Sequence, residues 1–309
     1  MKKYRIVLVL LLTIFSICQN DLFAQYTTDK KLEVKLKALL DSFHGIAGIF
    51  TRNLETGKEV AINADTIFPT ASIVKLPILI GIFNKIKQGE FTYHQPLVYR
   101  DSMAHGGSGL MQYFKDSTKT DLSNVITLMI THSDNTAAIW CEKLAGGGVS
   151  INEWLAAHGF QSTRVNARTP GRKENYEQYG WGQTTPREMA NLFVMIREGN
   201  AVSVAASQKM YRILTHVYWD EYALSQIPPY VQAASKQGMV DASRSEAVLV
   251  NAPHGDYVFY IATKNNKDQR WEPGNEAWEL ARKVSSLLWN YYEPHSKWHP
   301  APGSENYFK

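Results

Sequence analysis

Cysteine is almost absent from this chain, with two among 309 residues, Cys18 and Cys141. If a leader carrying Cys18 is removed, Cys141 remains alone and an intrachain disulfide is excluded. Cys141 lies in an apolar helical stretch, residues 137–141, where we expect a buried, unreactive thiol rather than a nucleophile. The nine histidines show no metal-binding spacing such as HxH or HExxH. We therefore expect no metal and no other cofactor.

An excess of one charge is also lacking, since 33 Lys and Arg stand against 29 Asp and Glu, a net charge of +4. Loss of residues 1–24 would remove Lys2, Lys3, Arg5 and Asp21 and lower the net charge to +2. No basic run is interleaved with aromatic residues, so nucleic acid is excluded as an expected partner. The composition, 44% apolar and 20% charged, excludes wholesale disorder, collagen and coiled coil.

A long apolar run occurs only near the N-terminus. Basic residues precede the almost unbroken apolar residues 6–17, and Ala24 offers a small residue before Gln25. This pattern predicts a secretory signal peptide over residues 1–24, since the run is short for a membrane span. We expect a secreted or periplasmic protein, monomeric, with no span in the mature chain. The alternatives are an uncleaved anchor and a lipid on Cys18, although Ile17 stands where lipoprotein signals usually have Gly or Ala.

The apolar periodicity predicts a sheet assembled from both chain ends. Residues 29–43 and 275–291 have helical spacing, whereas residues 46–52 with 58–63, and 247–250 with 257–263, have the pattern of two hairpins. Helical patterns fill the middle. We predict an α/β plus all-α fold, with an antiparallel sheet flanked by helices and an inserted helical domain. The sheet domain comprises residues 25–65 and 228–292, the helical domain 66–227, and a proline-rich tail 293–309.

Three short motifs carry the chemistry. Ser72 and Lys75 are three residues apart, on one side of any helix that Ser72 opens. A serine hydroxyl needs an adjacent base, and a lysine is that base only if its pKa is depressed. Taken alone, this spacing occurs by chance in most proteins of this length, and the alternative reading is a capping serine and a solvated lysine. The other motifs are Ser133-Asp134-Asn135, between two helical patterns, and Lys236-Gln237-Gly238, where an edge strand could line the same cleft.

The order of these motifs is the signature of penicillin-recognising serine enzymes. The sequence resembles class A β-lactamases and the wider β-lactamase-like family of exported bacterial serine hydrolases. The resemblance extends from about residue 32 to residue 291 and includes residues 107–111, 128–138 and 184–190. The last of these stretches looks like the helix start after the family's Ω-loop.

The resemblance implies a role for each matching residue. Ser72 would be the acylated nucleophile, Lys75 its base and Ser133 the proton relay to the leaving nitrogen. An oxyanion hole would form from the backbone N–H groups of Ser72 and Met239, each such donor being worth about 3 kcal/mol. Substrate binding would fall to Asn135, Lys236, Gln237 and Gly238. Arg244 is the candidate second carboxylate anchor, with a surface arginine as the alternative reading.

The chain departs from the family at the Ω-loop, which normally reads Arg-x-Glu-Pro-x-x-Asn. Pro170 matches, but Thr169 holds the Glu position, Lys173 the Asn position, and Ala167 and Gly182 the two loop-closing positions. Threonine is uncharged and cannot act as the general base that releases the acyl group, a contribution of about 10²–10⁴-fold.

Two nearby acids, Glu174 and Glu177, are candidates for a replacement carboxylate, with a solvated loop acid as the alternative for each. Gln237 also replaces a Thr or Ser that meets the substrate carboxylate, which changes the geometry of that contact.

Three hypotheses follow from the sequence. The first is a serine hydrolase that opens a β-lactam through a Ser72 acyl-enzyme and turns it over. The second is a penicillin-binding peptidase or esterase acting on cell-wall peptides or esters, which the missing Ω-loop Glu favours because deacylation would be slow. The third is a non-catalytic module that binds muropeptides, against which the intact Ser72, Lys75, Ser133 and Lys236 argue.

Overall fold

The computed structural model describes residues 26–308, so the predicted leader and Cys18 lie outside the described residues. The strands within this range are β1 (Thr27–Thr28), β2 (Ile46–Asn53), β3 (Lys58–Ile62), β4 (Phe68–Pro69), β5 (Pro96–Val98), β6 (Lys119–Asp121), β7 (Arg164–Val165), β8 (Gly182–Thr184), β9 (Ala233–Val240), β10 (Ser243–Val250) and β11 (Tyr257–Lys264). Six of them form the main sheet, in the order β1-β3-β2-β11-β10-β9.

Helices flank this sheet and fill the stretch between β3 and β9. The α-helices within residues 26–308 are α1 (Lys30–Asp41), α2 (Lys75–Lys87), α3 (Leu122–Thr131), α4 (Asn135–Leu144), α5 (Gly147–Ala157), α6 (Lys173–Tyr179), α7 (Pro186–Arg197), α8 (Val204–Leu214) and α9 (Glu276–Tyr292). Short 3₁₀ turns span Ala71–Val74, Asp101–Met103, Met111–Tyr113, Ala223–Gln226 and Ser304–Tyr307.

The centre of the sheet joins the two ends of the chain. β2 pairs antiparallel with β11, and Thr51 Oγ1 donates to the carbonyl of Val258, 207 residues further along. The two-residue β1 runs parallel to its neighbour, β3, whereas the other strand pairs among the described residues are antiparallel. The predicted hairpins are thus β2–β3 and β10–β11, and the predicted edge strand is β9.

The two faces of the sheet pack against different layers because side chains alternate along a strand. On β11, Phe259 and Ile261 join the core formed with α1 and α9, whereas Val258 and Tyr260 join the core of the helical region. With both faces covered, every residue of β10 is buried. The β-lactamase/transpeptidase-like fold that the sequence predicts is therefore confirmed.

Side-chain caps fix the starts of the two helices, α1 and α9, that pack against one face of the sheet. The Asp29 carboxylate accepts from the Leu32 N–H at the start of α1, and Asn275 caps α9 through the N–H groups of Ala277 and Trp278. After α9, the proline-rich tail continues across the surface, and Trp298 packs against the core formed with α1 and α9. Within the described range, the helices are all too short or too polar to cross a membrane.

Candidate active site

Ser72 lies on the 3₁₀ turn that leads into α2. The residue before it, Ala71, has φ +43°, a left-handed conformation that residues with a Cβ rarely adopt and that concentrates at functional sites. Lys75 begins α2 and is fully buried, with Nζ 2.9 Å from Ser72 Oγ. The predicted pair of Ser72 and Lys75 is therefore in direct contact, where an amine can take up the hydroxyl proton.

Polar groups surround Lys75 Nζ on several sides. It contacts the Ser133 carbonyl and lies 3.0 Å from Ser133 Oγ and 2.8 Å from Asn135 Oδ1. Burial lowers the pKa of Lys75 well below its ordinary value, the charge of Lys236 lowers it further, and Asp134 opposes the shift. Because desolvation disfavours the ammonium form, the amine is prepared to act as a base.

Asp134 holds the Ser133-Asp134-Asn135 loop in place. Its carboxylate caps α4 through the N–H of Ala137 and also accepts from the N–H groups of Leu110 and Met111, at 2.6 and 2.8 Å. Ser133 itself has φ +54°. The Asp134 side chain thus connects the start of α4 to the segment at Leu110 and Met111. Ser133 and Asn135, on either side of Asp134, both contact Lys75 Nζ.

Lys236 approaches the same serine from the edge strand β9. Its Nζ is 3.1 Å from Ser133 Oγ and 3.2 Å from Gln237 Oε1. Burial lowers the pKa of Lys236 to about 7, opposed by the nearby carboxyl of Glu246. Burial in turn raises the pKa of Glu246 to about 7, although Ser235 and the N–H of Ala223 donate to it.

Gly238 allows β9 to pass directly over the Ser72 turn. A Cβ at this position would overlap the Thr70 carbonyl oxygen and lie 2.9 Å from the Ile73 nitrogen. Only a glycine fits so close an approach of two backbones. Met239, the next residue, lines the same two cavities as Ser72, as an oxyanion hole from these two N–H groups requires.

Two cavities meet at Ser72, and both include Asn135 and Met239 in their walls. The loop cavity, of about 570 Å³, is bounded on one side by the segment Gln178, Tyr179, Gly180 and Trp181. The aromatic cavity, of about 510 Å³, contains Ser133 and Gln237 and the rings of Trp219, Tyr222, Trp271 and Trp278. Over the described part of the chain, neither cavity has an Asp or Glu in its lining.

A family model described as the β-lactamase enzyme family matches residues 31–292. The chain belongs to the β-lactamase enzyme family. Beta-lactamase VEB-1 from Pseudomonas aeruginosa is 23% identical over 301 residues, which cover 93% of this chain and 97% of that protein. The family that the three motifs indicate is therefore confirmed.

Solved structures of the same fold include that of PBP-A, 26% identical with a TM-score of 0.77, covering 87% of this chain and 98% of that one. The acyl-enzyme complex of a PBP-A mutant with penicillin G is 25% identical, with the same TM-score of 0.77 and the same coverage, 87% and 98%. A β-lactamase from Chitinophaga pinensis, at 18% identity and TM-score 0.76, covers 84% of this chain and 99% of that one and shares the fold.

The segment in the position of the family's Ω-loop does not bring a carboxylate to Ser72. Thr169 packs against Gly148, where an added Cβ would overlap Thr169 Oγ1. Glu174 and Glu177 lie on α6, both exposed, and Glu177 is 3.9 Å from Lys173. None of these three residues contributes to the loop cavity or the aromatic cavity.

Other contacts hold this loop in place of the family's pair at the two loop-closing positions, which here are Ala167 and Gly182. Arg168 pairs with the buried carboxylate of Glu142, and its guanidinium lies 5.2 Å from the Trp181 ring centroid. Arg172 donates to Asn166 Oδ1 and to Gln183 Oε1, each at 2.8 Å. Sequence reasoning missed these contacts because their partners lie outside the family's loop motif.

Arg244 is enclosed rather than directed into either cavity. Its guanidinium donates to the carbonyls of Asp241 and Ser243 and lies 4.4 Å from the Trp271 ring centroid and 5.2 Å from that of Trp278. With the residue 3% exposed, the structure places it behind the rings of the aromatic cavity. The sequence does not predict this packing of Arg244 against Trp271 and Trp278, because the two tryptophans belong to no recognisable motif.

Outside the site, Cys141 is fully buried, and burial raises the pKa of its thiol. Such a thiol is a poor nucleophile. No cluster of three or more His, Cys, Asp or Glu suited to a metal ion occurs between residues 26 and 308.

Proposed function

We propose that this protein opens the amide of a β-lactam by forming an acyl-enzyme on Ser72 and releases the acyl group slowly. The observation that carries the proposal is the contact of 2.9 Å between Ser72 Oγ and the fully buried Nζ of Lys75. Burial keeps this amine available as a base, and it lies beside the hydroxyl that must be deprotonated.

The geometry supports acylation in three proton movements. Ser72 Oγ attacks the carbonyl carbon while its proton passes to Lys75 Nζ, and the backbone N–H groups of Ser72 and Met239 stabilise the oxyanion. The carbon–nitrogen bond then breaks, and Ser133 Oγ gives its proton to the nitrogen. The proton held by Lys75 returns to Ser133 Oγ, 3.0 Å away, which leaves a neutral amine and a Ser72 ester.

Release of the acyl group needs a water molecule and a general base to activate it. The described residues that line the site include no carboxylate for this role. In the described residues, no carboxylate belongs to either cavity that reaches Ser72, and Thr169, Glu174 and Glu177 lie elsewhere. A positioned general base typically contributes about 10²–10⁴-fold. The slow-release hypothesis, a penicillin-binding enzyme, is therefore favoured over steady β-lactamase turnover. The penicillin G acyl-enzyme described for a mutant of PBP-A supports the acylation step.

A non-catalytic binding module is disfavoured by the two buried lysines. Lys75 and Lys236 are both 0% exposed and both contact Ser133 Oγ. Burying two amines together is costly, since each loses its hydration and the two charges repel. A protein that only binds a ligand gains nothing from that arrangement.

Intact-protein mass spectrometry tests the proposal. The purified protein is mixed with a penicillin and followed over time, with Ser72→Ala as the control. We expect one adduct of the penicillin's mass on the wild type that persists after excess penicillin is removed, and none on Ser72→Ala. An adduct that disappears while penicillin is consumed would replace slow release by turnover. No adduct with several β-lactams would overturn the proposal.

A further inference from the structure

The aromatic cavity is the feature of the site that the motifs do not explain. Trp219, Tyr222, Trp271 and Trp278 line it beside Ser133 and Gln237. The indole N–H of Trp219 donates to the His132 carbonyl, and that of Trp271 donates to Asp241 Oδ1, at 3.2 and 2.8 Å. These two indole N–H groups are engaged with the protein and that of Trp278 is buried, so the wall offers a ligand mainly aromatic carbon surface.

These rings are held in a fixed arrangement. Trp271 and Trp278 meet edge to face, with centroids 6.0 Å apart, and Tyr222 lies 4.9 Å from Trp278. Arg244 stacks behind the two tryptophans at 4.4 and 5.2 Å, a cation–π contact that fastens them to β10. A preorganised wall loses little conformational freedom when a ring packs on it, which favours binding.

The position of Ser133 assigns a side of the substrate to this cavity. Ser133 belongs to the lining of the aromatic cavity but not to that of the loop cavity, whereas Ser72 and Asn135 belong to both. In the acylation step Ser133 protonates the nitrogen that leaves the carbonyl carbon. The aromatic cavity therefore faces the part of the substrate attached to that nitrogen.

We propose that the aromatic cavity binds a planar aromatic substituent on the nitrogen side of the substrate, and that Trp271 is a specificity-determining residue for it. The inference rests on the proposed function, since it assigns the two sides of the substrate from the acylation step. Trp271 is the suitable residue to test because it is 55% exposed, whereas Trp278 and Tyr222 are buried.

The test compares two β-lactams with the same acyl side chain, one with an aryl group and one with a methyl group on the nitrogen-bearing ring. We expect the wild type to be acylated about tenfold faster by the aryl compound, the effect of roughly one aromatic contact. Trp271→Ala should reduce this ratio to about one, and Trp271→Phe should restore most of it. Tyr230→Ala, which removes a surface ring that is 74% exposed, should leave the ratio unchanged.

A binding measurement separates this inference from the proposed function. The same two compounds are titrated into Ser72→Ala, with intrinsic tryptophan fluorescence as the signal. We expect the aryl compound to bind about tenfold more tightly, and Trp271→Ala in that background to abolish the difference. Aryl preference in binding without acylation of the wild type would overturn the proposed function alone. Equal binding and equal acylation by the two compounds would overturn the aromatic subsite alone.

Discussion

Lys75 and Lys236 both reach one hydroxyl, Ser133 Oγ, with their Nζ atoms at 3.0 and 3.1 Å. Each amine is completely buried, and the charge of Lys236 lowers the pKa of Lys75. Two ammonium groups so placed repel each other in a medium that screens poorly. The structure therefore favours states in which at most one of these two lysines is in the charged ammonium form. Both acylation and stability should for that reason depend on pH.

The acylation rate should fall as pH decreases, because protonated Lys75 cannot accept the Ser72 proton. Lys236→Met removes the charge that, together with burial, lowers the pKa of Lys75, so the acid limb should move to higher pH in this variant. Lys236→Arg, which retains a cation, is the matched control and should keep the limb at lower pH. The measurement is the pH profile of the acylation rate constant. If the acid limb lies at the same pH in Lys236→Met and Lys236→Arg, the charge at position 236 does not affect the pKa of Lys75.

Stability should rise with pH above neutrality. The pKa of Lys236 is about 7 in the folded protein, against an ordinary value of 10.5. Between these values the unfolded chain binds more protons than the folded one, so stability is lost as pH falls from about 10.5 to about 7.

The stability of wild type relative to Lys236→Met should therefore increase by up to about 1.4 kcal/mol per pH unit within that window. Urea unfolding followed by circular dichroism at several pH values measures it. The exposed Lys283→Met is the comparison, and its difference from wild type should not change with pH. A flat difference for Lys236→Met would show that the amine is not desolvated.

Replacing Lys75 by Met should slow acylation by about 10²–10⁴-fold, since a general base in contact with the nucleophile is lost. Stopped-flow acylation with a chromogenic β-lactam measures the effect. Lys85, which pairs with Glu90 at the far end of α2, provides the control, because Lys85→Met leaves the site intact. Near wild-type acylation by Lys75→Met would assign the base elsewhere.

A carboxylate introduced into the loop cavity should accelerate release. Gln178 belongs to that cavity and Thr169 does not. We expect Gln178→Glu to increase deacylation by about 10²-fold, at the low end of a positioned base, and Thr169→Glu to leave it unchanged. Thr169→Glu should instead cost about 1–3 kcal/mol of stability, because it overpacks against Gly148. The decay of the adduct, followed by mass spectrometry, compares the release rates of the two variants. Faster release from Thr169→Glu than from Gln178→Glu would place the hydrolytic water near Thr169 and not in the loop cavity.

Gly238→Ala should displace β9 from the Ser72 turn, since the added methyl group overlaps the Thr70 carbonyl oxygen. A misplacement of about 1 Å can cost 10²-fold in rate, and we expect a loss of that order in acylation. Gly274→Ala is the matched control, because its Cβ meets nothing within 4 Å. Equal acylation by the two variants would show that β9 does not position the oxyanion hole.

Much of the fold could be predicted because the long helices and strands keep a regular spacing of apolar residues. The sequence predicts helix 275–291, and α9 spans Glu276–Tyr292. It predicts strand 46–52, and β2 spans Ile46–Asn53. Ser72, Lys75 and Ser133 could be predicted from the resemblance to the β-lactamase family, since each belongs to a short local motif that matches that family in type and order.

The features of the site that could not be predicted depend on contacts between residues that are far apart in the sequence and belong to no motif. Trp219 and Trp271 come together only because the segment before β9 and the loop before α9 meet at the mouth of the site. The pairing of Arg168 with Glu142 joins the loop to α4 in the same way. Spacing along the chain carries no information on such contacts.

The place of β9 in the chain sets the order in which this protein becomes reactive. Ser72 and Ser133 are synthesised early, but the strand that carries Lys236 begins at Ala233 and pairs with β10, which in turn pairs with β11. Pairing of β2 with β11 closes a loop of about two hundred residues, a slow step because contacts so distant in sequence form late. We therefore expect Ser72 to stay unreactive in a nascent chain until β9 has paired and brought Lys236 to Ser133.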